Sequence, residues 1–531
     1  MSGSARTLGS NRHIQGLLIG LGILAVTWEL ASWIVAGQDK LLLMAGVGIG
    51  VLVATIYIFN DWRSGFYVFI VWLMFEDLAR KFLGNNMAVT FGKDFLVAVI
   101  YLSCLLARRR RQFESFRPPF WLSLSMFFWL AAVQVFNSNS ASIFYGLLGL
   151  KLYFYYLPLM FVAYALVRSP EELNRFLKLS VALAAVISII GLWQETINVD
   201  FLSPANLAPE LRELGRLTRV SPLTHQQIHA PTGVFVSSGR FSEFLILMWI
   251  VAMGELGYTL LSRRPGSKYT IVALGLITAS TMLCGTRHAI IFTAISILTM
   301  SAAFLWGAPW RWGQGHRLSK AIRGTLLVGA ASLLLLMEFS PAIFGANWAF
   351  FSETMDPTGS ASQFHSRVVE YPWVNLQKAF EHENWVMGYG TGTASMGTQY
   401  VARVLGAPAT TSGAVENGFG TLVVEMGILG PILWLAWTGT MLYFQWEIVR
   451  KLRETVYFPI AFAIFWYSFL ILIPLTYLAI SPYQNFVNNA YLWILTGIMF
   501  RLPQLAKMPQ PVPVSKRSPM PVRLGTVSGS R

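Results

Sequence analysis

The run NGFGTLVVEMGILGPILWLAWTGTMLYF, residues 417–444, is long and apolar enough to cross a bilayer. It follows residues 340–415, a polar stretch, whereas elsewhere in the chain long apolar runs are joined by shorter connectors. Loops of this length are uncommon in compact proteins and are often functional. We therefore expect a membrane scaffold that holds one site outside the bilayer, built around residues 340–415.

The composition places the chain in a membrane. Its 531 residues are 55% apolar and only 12% charged, whereas a soluble domain has about 25% charged residues. Repeated apolar runs of about 18 residues or more indicate crossing helices, because about 20 helical residues span the hydrocarbon core. The sequence lacks the alternating segments of about 10 residues that a β-barrel needs. The predicted fold class is an all-α polytopic membrane protein with about 12 to 14 transmembrane helices.

The basic residues are unevenly distributed. The net charge is +15, and most of the 40 Lys and Arg residues group in alternate connectors between apolar runs. Connectors rich in positive charge stay on the cytoplasmic side during insertion, so we expect both termini to be cytoplasmic and no nucleic-acid partner. The resulting spans are residues 14–36, 41–59, 65–79, 94–107, 119–136, 145–167, 176–193, 241–261, 269–285, 288–306, 323–339, 417–444, 457–479 and 485–500. If the polar residues 76–94 form an interfacial helix instead, the count falls to about twelve.

These spans divide the chain into successive regions, and they also place its two cysteines. The predicted regions are a cytoplasmic N-terminus at 1–13, transmembrane helices at 14–339 with an outer loop at 194–240, a large outer loop at 340–415, C-terminal transmembrane helices at 416–500, and a disordered, basic, Pro-rich cytoplasmic tail at 501–531. Cys104 and Cys284 fall near opposite ends of their spans, too far apart for a disulfide, so we expect free thiols.

Three arginines on separate elements are predicted to lie on the outer side, two of them at the bilayer boundary. Arg240 opens the eighth span, Arg287 lies in a tight turn, and Arg367 lies in the large loop. Each one alone is explained by anchoring to lipid phosphates. Together they suit a diphosphate, because guanidinium groups bind phosphate oxygens in pairs and keep their charge. Fixed cations would stabilise a departing diphosphate without a metal, so we expect no metal and no cofactor.

The outer loop at 194–240 offers further arginines. Arg212, Arg216 and Arg219 lie in a predicted helix, with Arg212 and Arg216 on one face. One interpretation is a solvated helix, and the other is a rim that receives an anion. His225 and His229 have the spacing of a metal pair on a helix, but no further ligand lies near them in the sequence, so we do not expect a metal site there.

A hydroxyl acceptor also needs a base. The candidates are Glu416, which precedes Asn417 where the chain returns to the bilayer, and His365, two residues before Arg367. Residues 364–380 have near-helical apolar spacing and are predicted to roof the site on the membrane surface. The glycines at 388, 390 and 392 indicate a sharp turn or a close backbone approach, with a phosphate-binding nest as the alternative.

The order of these motifs resembles the O-antigen ligase and polymerase superfamily over about residues 215–440. The motifs that carry the resemblance are Gly239-Arg240-Phe241, Gly285-Thr286-Arg287, Ser366-Arg367, the glycines from 388 to 392, and Glu416-Asn417-Gly418 followed by Glu425. The resemblance implies a C-type glycosyltransferase (GT-C) fold in the bacterial inner membrane. It also implies a glycan donor on undecaprenyl diphosphate, transfer on the periplasmic side, and binding of the diphosphate by Arg240 and Arg287.

One departure from the family pattern bears on the reaction. Ligases of this superfamily usually have His-Asn where this chain has Glu416-Asn417, which favours a polymerase that lengthens lipid-linked glycans. In this hypothesis Arg240, Arg287, Arg367, Asn417, Arg216 and Arg219 bind substrate, and Glu416 or His365 accepts the proton. The expected partners are the lipid-linked donor, a glycan or lipid acceptor, membrane lipids and a chain-length regulator. The alternatives are a ligase acting on lipid A-core or protein, and a transporter or flippase of lipid-linked or small anions.

Overall fold

A computed structural model of the protein describes most of the chain. The described residues are 32, 39–84, 87–109, 113–114, 116–207, 218–309, 312–356, 358–359, 363, 365–406 and 415–508. The first predicted span, residues 14–36, lies almost entirely outside them. The N-terminus at 1–13, the arginines at 212 and 216, and residues 509–531 of the predicted tail also lie outside the described residues.

The described chain is almost entirely helical. Its first helices are α1 (Asp39–Asn60), α2 (Trp62–Phe82), α3 (Met87–Arg109), α4 (Trp121–Gln134), α5 (Ile143–Phe154), α6 (Leu159–Leu166), α7 (Pro170–Thr196) and α8 (Pro204–Leu207). A two-stranded antiparallel hairpin follows, with β1 at Thr218–Val220 and β2 at Gln227–His229. The next helices are α9 (Ser238–Leu261), α10 (Ser267–Leu283), α11 (Arg287–Gly307), α12 (Trp312–Phe339) and α13 (Pro341–Met355).

The last part of the chain contains shorter and interrupted helices. A π-helical turn, Ser366–Glu370, leads into α14 (Tyr371–Glu381), α15 (Thr398–Leu405), α16 (Gly418–Met426), α17 (Leu429–Lys451) and α18 (Phe458–Leu470). A second π-helical turn, Ile471–Leu475, precedes α19 (Thr476–Leu478), α20 (Ser481–Gln484) and α21 (Phe486–Lys507).

Length and composition identify the crossing helices. Within the described residues, 6 helical segments are long and apolar enough to cross a membrane: Ile143–Leu166, Pro170–Thr196, Ser238–Leu261, Arg287–Gly307, Gly315–Leu335 and Phe458–Leu478. Met44–Asn60, Trp121–Gln134 and Ser267–Leu283 are shorter apolar segments. Four more polar helices, α2, α3, α17 and α21, have 21, 23, 23 and 22 residues, enough for about 30 Å at 1.5 Å per residue. This is the architecture of an all-α polytopic membrane protein.

A helix lies at each predicted span that falls within the described residues, so these positions are confirmed as helical. One boundary differs from the prediction. The last helix continues to Lys507, so residues 501–507 of the predicted disordered tail are helical. Both cysteines are free and buried, as predicted.

The predicted span 417–444 is two helices. Helix α16 ends at Met426, Gly427 has a φ of 70°, and α17 begins at Leu429. A side chain at Gly427 would lie 2.0 Å from the carbonyl oxygen of Val386. The backbone of the large loop therefore occupies the space beside Gly427, and only glycine permits both the left-handed turn and this approach.

The polar residues 76–94 belong to two long helices rather than to an interfacial helix. They form the ends of α2 and α3 nearest the connecting turn, and their charged side chains are buried. Asp77 binds Arg80 at 2.7 Å, and Glu76 binds Lys93 at 2.8 Å. Lys151 of α5 forms an ion pair with Asp94. Buried charges persist only when they are paired, and this cluster satisfies that requirement.

Hydrogen bonds join several connectors at one end of the helix bundle. We define the loop face as the described residues of 135–142, 197–237, 284–286, 340–417 and 471–485. Gln134 and Asn137 donate to carbonyls of Met387 and Gly388, and Ser340 donates to the carbonyl of Thr196. The loop face corresponds to the outer side in the predicted topology.

Candidate functional site

Three arginines from separate elements of the loop face form the candidate site. Arg219 is the middle residue of β1, Arg287 is the first residue of α11, and Arg367 lies in the π-helical turn before α14. Arg219 and Arg287 are half-buried, and Arg367 is exposed. We call these three residues the arginine cluster. All three were predicted as site residues, but the prediction grouped Arg287 with Arg240 as its main partner.

Gln363 contacts two members of the cluster, one through its side chain and one through its backbone. Arg287 donates from Nη1 to Oε1 of Gln363 at 2.8 Å. The backbone N–H of Arg367 donates to the carbonyl of Gln363 at 2.9 Å. The Arg287 guanidinium also lies 5.5 Å from the ring centre of Phe350, and that of Arg367 lies 4.9 Å from the ring centre of Tyr371. Aromatic faces attract cations in this way, so each of the two guanidinium groups packs against an aromatic ring.

The hairpin brings Arg219 toward the same region. Its strand pairs Arg219 with Ile228, and the turn at Gly285 packs against the backbone of His229 and Ala230 at the end of β2. Gly285 has a φ of 65°, and an added Cβ there would lie 3.0 Å from the carbonyl oxygen of His229. The tight turn that precedes Arg287 is therefore pressed against the hairpin that carries Arg219.

The cluster carries positive charge that no neighbouring carboxylate balances. Burial lowers the pKa of Arg219 from its ordinary value, and the like charge of Arg367 lowers it further. The positive charges of Arg219 and Arg367 also repel the guanidinium of Arg287. Among the described residues, none of the three arginines forms an ion pair with a carboxylate. Uncompensated cations that repel one another favour the binding of an anion.

Glu416 lies at the edge of the arginine cluster. Burial raises the pKa of Tyr371, and a hydrogen bond between its hydroxyl and the Glu416 carboxylate raises it further. The same tyrosine ring contacts Arg367. Glu416 itself is exposed, and its backbone N–H donates to Asn375 Oδ1 at 3.3 Å. Tyr371 is therefore influenced by the Glu416 carboxylate and contacts the Arg367 guanidinium through its ring.

Asn417, predicted to bind substrate, forms a hydrogen bond within the protein through both the oxygen and the nitrogen of its side-chain amide. It is the N-cap of α16, where its Oδ1 accepts from the N–H of Gly420 at 2.8 Å. Its Nδ2 donates to the carbonyl of Pro372 at 3.0 Å. The side chain is fully buried. In the structure Asn417 therefore fixes α16 against α14, close behind Glu416.

His365, the other predicted base, has an exposed side chain. Its side chain is 72% exposed, and its Nδ1 lies 3.1 Å from the carboxylate of Glu370. The high exposure leaves it in water rather than in an enclosed site. The structure therefore places Glu416, and not His365, next to a ring that touches the arginine cluster.

Arg240 is held elsewhere. Its Nη1 donates to both carboxylate oxygens of Asp77 at 2.9 and 3.1 Å, and its guanidinium lies 5.1 Å from the ring centre of Phe486. Asp77 is fully buried and also accepts from Arg80. The predicted grouping of Arg240 with Arg287 and Arg367 is therefore replaced by an ion pair with Asp77. The acid was missed because it lies far away in the sequence, at the end of the predicted span 65–79.

The predicted histidine pair also has a different environment. Residues 227–229 form a strand, and His225 has a φ of 53°, so the two histidines do not share a helix face. His229 Nδ1 lies 2.9 Å from Glu195 at the end of α7, and Glu195 also accepts from Asn347 at 3.1 Å. Sequence reasoning missed Glu195, which holds the hairpin against α7. Within the described residues, no group of three or more His, Cys, Asp or Glu side chains is arranged to hold a metal ion.

The glycine-rich segment serves as a close packing element. Gly388, Gly390 and Gly392 all have positive φ values, and a Cβ at Gly392 would lie 2.0 Å from the carbonyl oxygen of Tyr145. The segment surrounds the buried carboxylate of Glu425, which accepts from the N–H of Ala394 at 3.1 Å and from Ser395 Oγ at 2.6 Å. The close backbone approach is the alternative that the structure bears out.

Together, the described residues unite Arg219, Arg287 and Arg367, with Glu416 beside them, and separate them from Arg240. Arg216 lies outside the described residues. The arrangement can bind an anion of several charges and can accept a proton from a neighbouring group. No family model, curated protein or solved structure matches this chain.

Proposed function

We propose that the protein is a membrane glycosyltransferase that lengthens glycans carried on undecaprenyl diphosphate. The observation that supports this most directly is the arginine cluster: three guanidinium groups from β1, α11 and the large loop, without a carboxylate partner among the described residues. A diphosphate suits such a cluster because guanidinium groups bind phosphate oxygens bidentately and stay charged at physiological pH.

The proposed reaction exchanges one bond to the anomeric carbon for another. The hydroxyl oxygen of the acceptor attacks the anomeric carbon of the donor glycan from the side opposite the diphosphate. The carbon–oxygen bond to the diphosphate breaks, and the lipid diphosphate leaves with the electron pair. Negative charge grows on the leaving group during this step, so the guanidinium groups stabilise the transition state more than the bound donor. The reaction is therefore proposed to be inverting and metal-independent.

Glu416 is the proposed proton acceptor. Its side chain is exposed and could meet an incoming hydroxyl, and its carboxylate influences Tyr371, whose ring contacts Arg367. Removal of the proton in the transition state by a placed carboxylate contributes about 10²–10⁴-fold to rate. In this proposal Arg240 supports the scaffold through Asp77 rather than binding the diphosphate.

The sided location is part of the proposal. The basic connectors predict that the loop face lies outside the cytoplasm, which in a bacterial inner membrane is the periplasmic side, with both termini inside. The partners would be a lipid-linked glycan donor, a glycan acceptor carried on a second lipid molecule of the same kind, and a chain-length regulator.

Two alternatives have observations in their favour. A ligase would use the same arginine cluster and differ only in taking lipid A-core or a protein as acceptor. A transporter or flippase is favoured by the helix break at Gly427 and by the interrupted segment from Ile471 to Gln484, because transporters often bind ions at broken helices. Both interruptions, however, pack against the large loop, through Gly427 with Val386 and Gln484 with Ser395.

One assay separates these functions. Purified protein is mixed with a synthetic undecaprenyl-diphosphate oligosaccharide, and the products are resolved by gel and mass spectrometry. A ladder of lengthened glycans is expected. Glycan transferred only to added lipid A-core or protein would indicate a ligase, and intact donor under all conditions would refute the glycosyltransferase proposal. Arg287→Ala should abolish the ladder, whereas Arg317→Ala, an exposed arginine on α12, should leave it unchanged.

A further inference from the structure

A large cavity lies at the opposite end of the bundle from the loop face. Its volume is about 580 Å³, which is within the usual range for small-molecule sites of about 300–1,000 Å³. Its walls come from the last turns of α3, from the connector that precedes α4, and from the junction of α5 and α6 at Pro158. This position separates the cavity from the arginine cluster.

The walls of the cavity are largely apolar and aromatic. Phe113 and Phe116 of the connector face Phe161 of α6, and Cys104 and Leu105 of α3 complete much of the lining. Leu105 is 58% exposed and Leu102, one turn earlier, is 49% exposed. In a membrane-spanning helix such exposed leucines contact acyl chains. The cavity is therefore open toward the hydrocarbon of the bilayer.

Two arginines lie at the cavity and, unlike other arginines at this end of the bundle, are not in ion pairs among the described residues. Arg108 and Arg117 line it, and both are exposed. Elsewhere at this end, ion pairs join Arg63 to Glu172, Arg264 to Glu171, and Arg501 to Glu114. Within the part of the chain that the structure describes, neither Arg108 nor Arg117 has such a partner.

We propose that this cavity binds an anionic diacyl phospholipid. One acyl chain enters the apolar cavity past Leu105, and the phosphate lies between Arg108 and Arg117. The apolar and aromatic walls accept a hydrocarbon chain, because this burial removes apolar surface from water. The two guanidinium groups attract the phosphate, because no described residue gives either of them a carboxylate partner. A zwitterionic phospholipid fits the walls equally well but carries an ammonium group that opposes the arginines.

The test is lipid retention measured by native mass spectrometry. The full-length protein is released from nanodiscs that contain equal amounts of dioleoyl phosphatidylglycerol and dioleoyl phosphatidylethanolamine. We expect one phosphatidylglycerol to be retained in preference to phosphatidylethanolamine. The double variant Arg108→Ala/Arg117→Ala should lose this preference by roughly tenfold or more, because each basic residue near a membrane surface adds about a factor of five for an anionic lipid. Arg317→Ala/Lys320→Ala, which removes the same charge from exposed positions on α12, should retain it.

A second variant separates the cavity from simple surface attraction. Leu105→Trp keeps both arginines and fills the opening from an exposed position, so it should also reduce retention. Inorganic phosphate should not displace the lipid, because it has no chain to place in the cavity. Equal retention of the two lipids by the wild type would overturn the proposal, and so would undiminished retention by the double variant. Full retention by Leu105→Trp would refute the cavity as the site. Thermal unfolding of each variant in the same detergent verifies that it is folded.

Discussion

Arg240 and Arg287 each lie in the first turn of a crossing helix, but they differ in the charges that surround them. Arg240 meets a fully buried carboxylate, Asp77, which it shares with Arg80. Among the described residues, Arg287 contacts the neutral amide of Gln363 and the ring of Phe350, lies near two like charges, and has no carboxylate partner. A guanidinium that is paired in a buried cluster stabilises the folded protein. An unpaired guanidinium beside other cations lowers the stability of the folded protein, and the binding of an anion raises that stability again.

This contrast predicts opposite results for two substitutions. Asp77→Asn leaves Arg80 and Arg240 without their shared anion and should lower the free energy of unfolding by about 3–5 kcal/mol. Arg287→Ala removes one hydrogen bond to a neutral group and relieves repulsion, so its stability should change by less than about 1 kcal/mol while turnover is lost. Thermal unfolding in detergent, measured beside the glycan assay, checks both. A severe loss of stability in Arg287→Ala would show that its role is structural.

The identity of the base gives a second residue-level prediction. Glu416→Gln keeps the size of the side chain and removes the charge, so turnover should fall by about 10²–10⁴-fold with donor affinity nearly unchanged. His365→Ala is the matched control, because its imidazole is exposed and is paired with Glu370. If His365→Ala abolishes turnover and Glu416→Gln does not, the assignment of the base to Glu416 is wrong.

The hairpin that carries Arg219 depends on an acid of another element. Glu353 of α13 accepts hydrogen bonds from the hydroxyl of Ser221 and from the N–H of Leu223, the latter at 2.9 Å. The hydrogen bond from Ser221 and those from neighbouring groups lower the pKa of Glu353 below its ordinary value of 4.5. A lowered carboxylate pKa means that the contact stabilises the hairpin fully above pH 4.5 and is lost as the pH falls through the lowered value.

Hydrogen exchange can follow this contact. Residues 218–229 should exchange more slowly at pH 6 than at pH 3.5 after correction for the intrinsic exchange rate. Glu353→Gln should remove most of that difference, because the neutral amide no longer titrates. A difference between the two pH values that persists in Glu353→Gln would assign the effect to another group.

The glycine-rich segment permits a matched comparison of two glycines. Gly392 and Gly406 both have positive φ values, 82° and 66°. An alanine at Gly406 has nothing within 4 Å and should cost only the backbone strain, about 1 kcal/mol. An alanine at Gly392 also collides with the backbone of Tyr145 and Gly149. Thermal unfolding should therefore show a loss for Gly392→Ala that clearly exceeds the loss for Gly406→Ala. Equal losses would contradict the close packing of this segment.

Periodicity and charge placed the helices well but left their interruptions undetermined. A run such as 417–444 is apolar from end to end, and the break at Gly427 arises from contact with Val386 in the loop. Similarly, the strand at 227–229 was not expected because hydrogen bonds across a hairpin have no helical or apolar pattern over three residues. The break at Gly427 depends on a contact with a distant part of the chain, whereas the hairpin depends on pairing between two strands of only three residues each. A single sequence contains no direct signal for either feature.

At the scale of the whole molecule, the same limit applies to the site. The residue types predict anion binding, since arginines at the ends of crossing helices suit phosphate groups, and this stays a prediction. Their grouping did not follow: Arg219 rather than Arg240 joins Arg287 and Arg367, because Asp77 on α2 captures Arg240. A buried carboxylate forms an ion pair with whichever cation the fold brings close to it. The position of the acid in the sequence does not identify that cation.

The orientation of the molecule can be tested independently of its chemistry. In a variant without native cysteines, Thr358→Cys on the loop face should react with a membrane-impermeant maleimide in intact cells. Lys268→Cys, an exposed residue in the connector region at the other end, should react only after the cells are permeabilised. The reverse pattern would place the arginine cluster in the cytoplasm and would exclude a periplasmic reaction.

The amide of Gln363 gives the resting protein a further property. It holds the Arg287 side chain by a hydrogen bond of 2.8 Å before any anion arrives, so the entropy of ordering that long side chain is spent during folding and not during substrate capture. An arriving anion exchanges a neutral acceptor for a charged one instead of recruiting a freely rotating group. Compounds that combine a primary amide with an acidic group are therefore reasonable starting points for inhibitors, since they would reproduce both acceptors of this guanidinium.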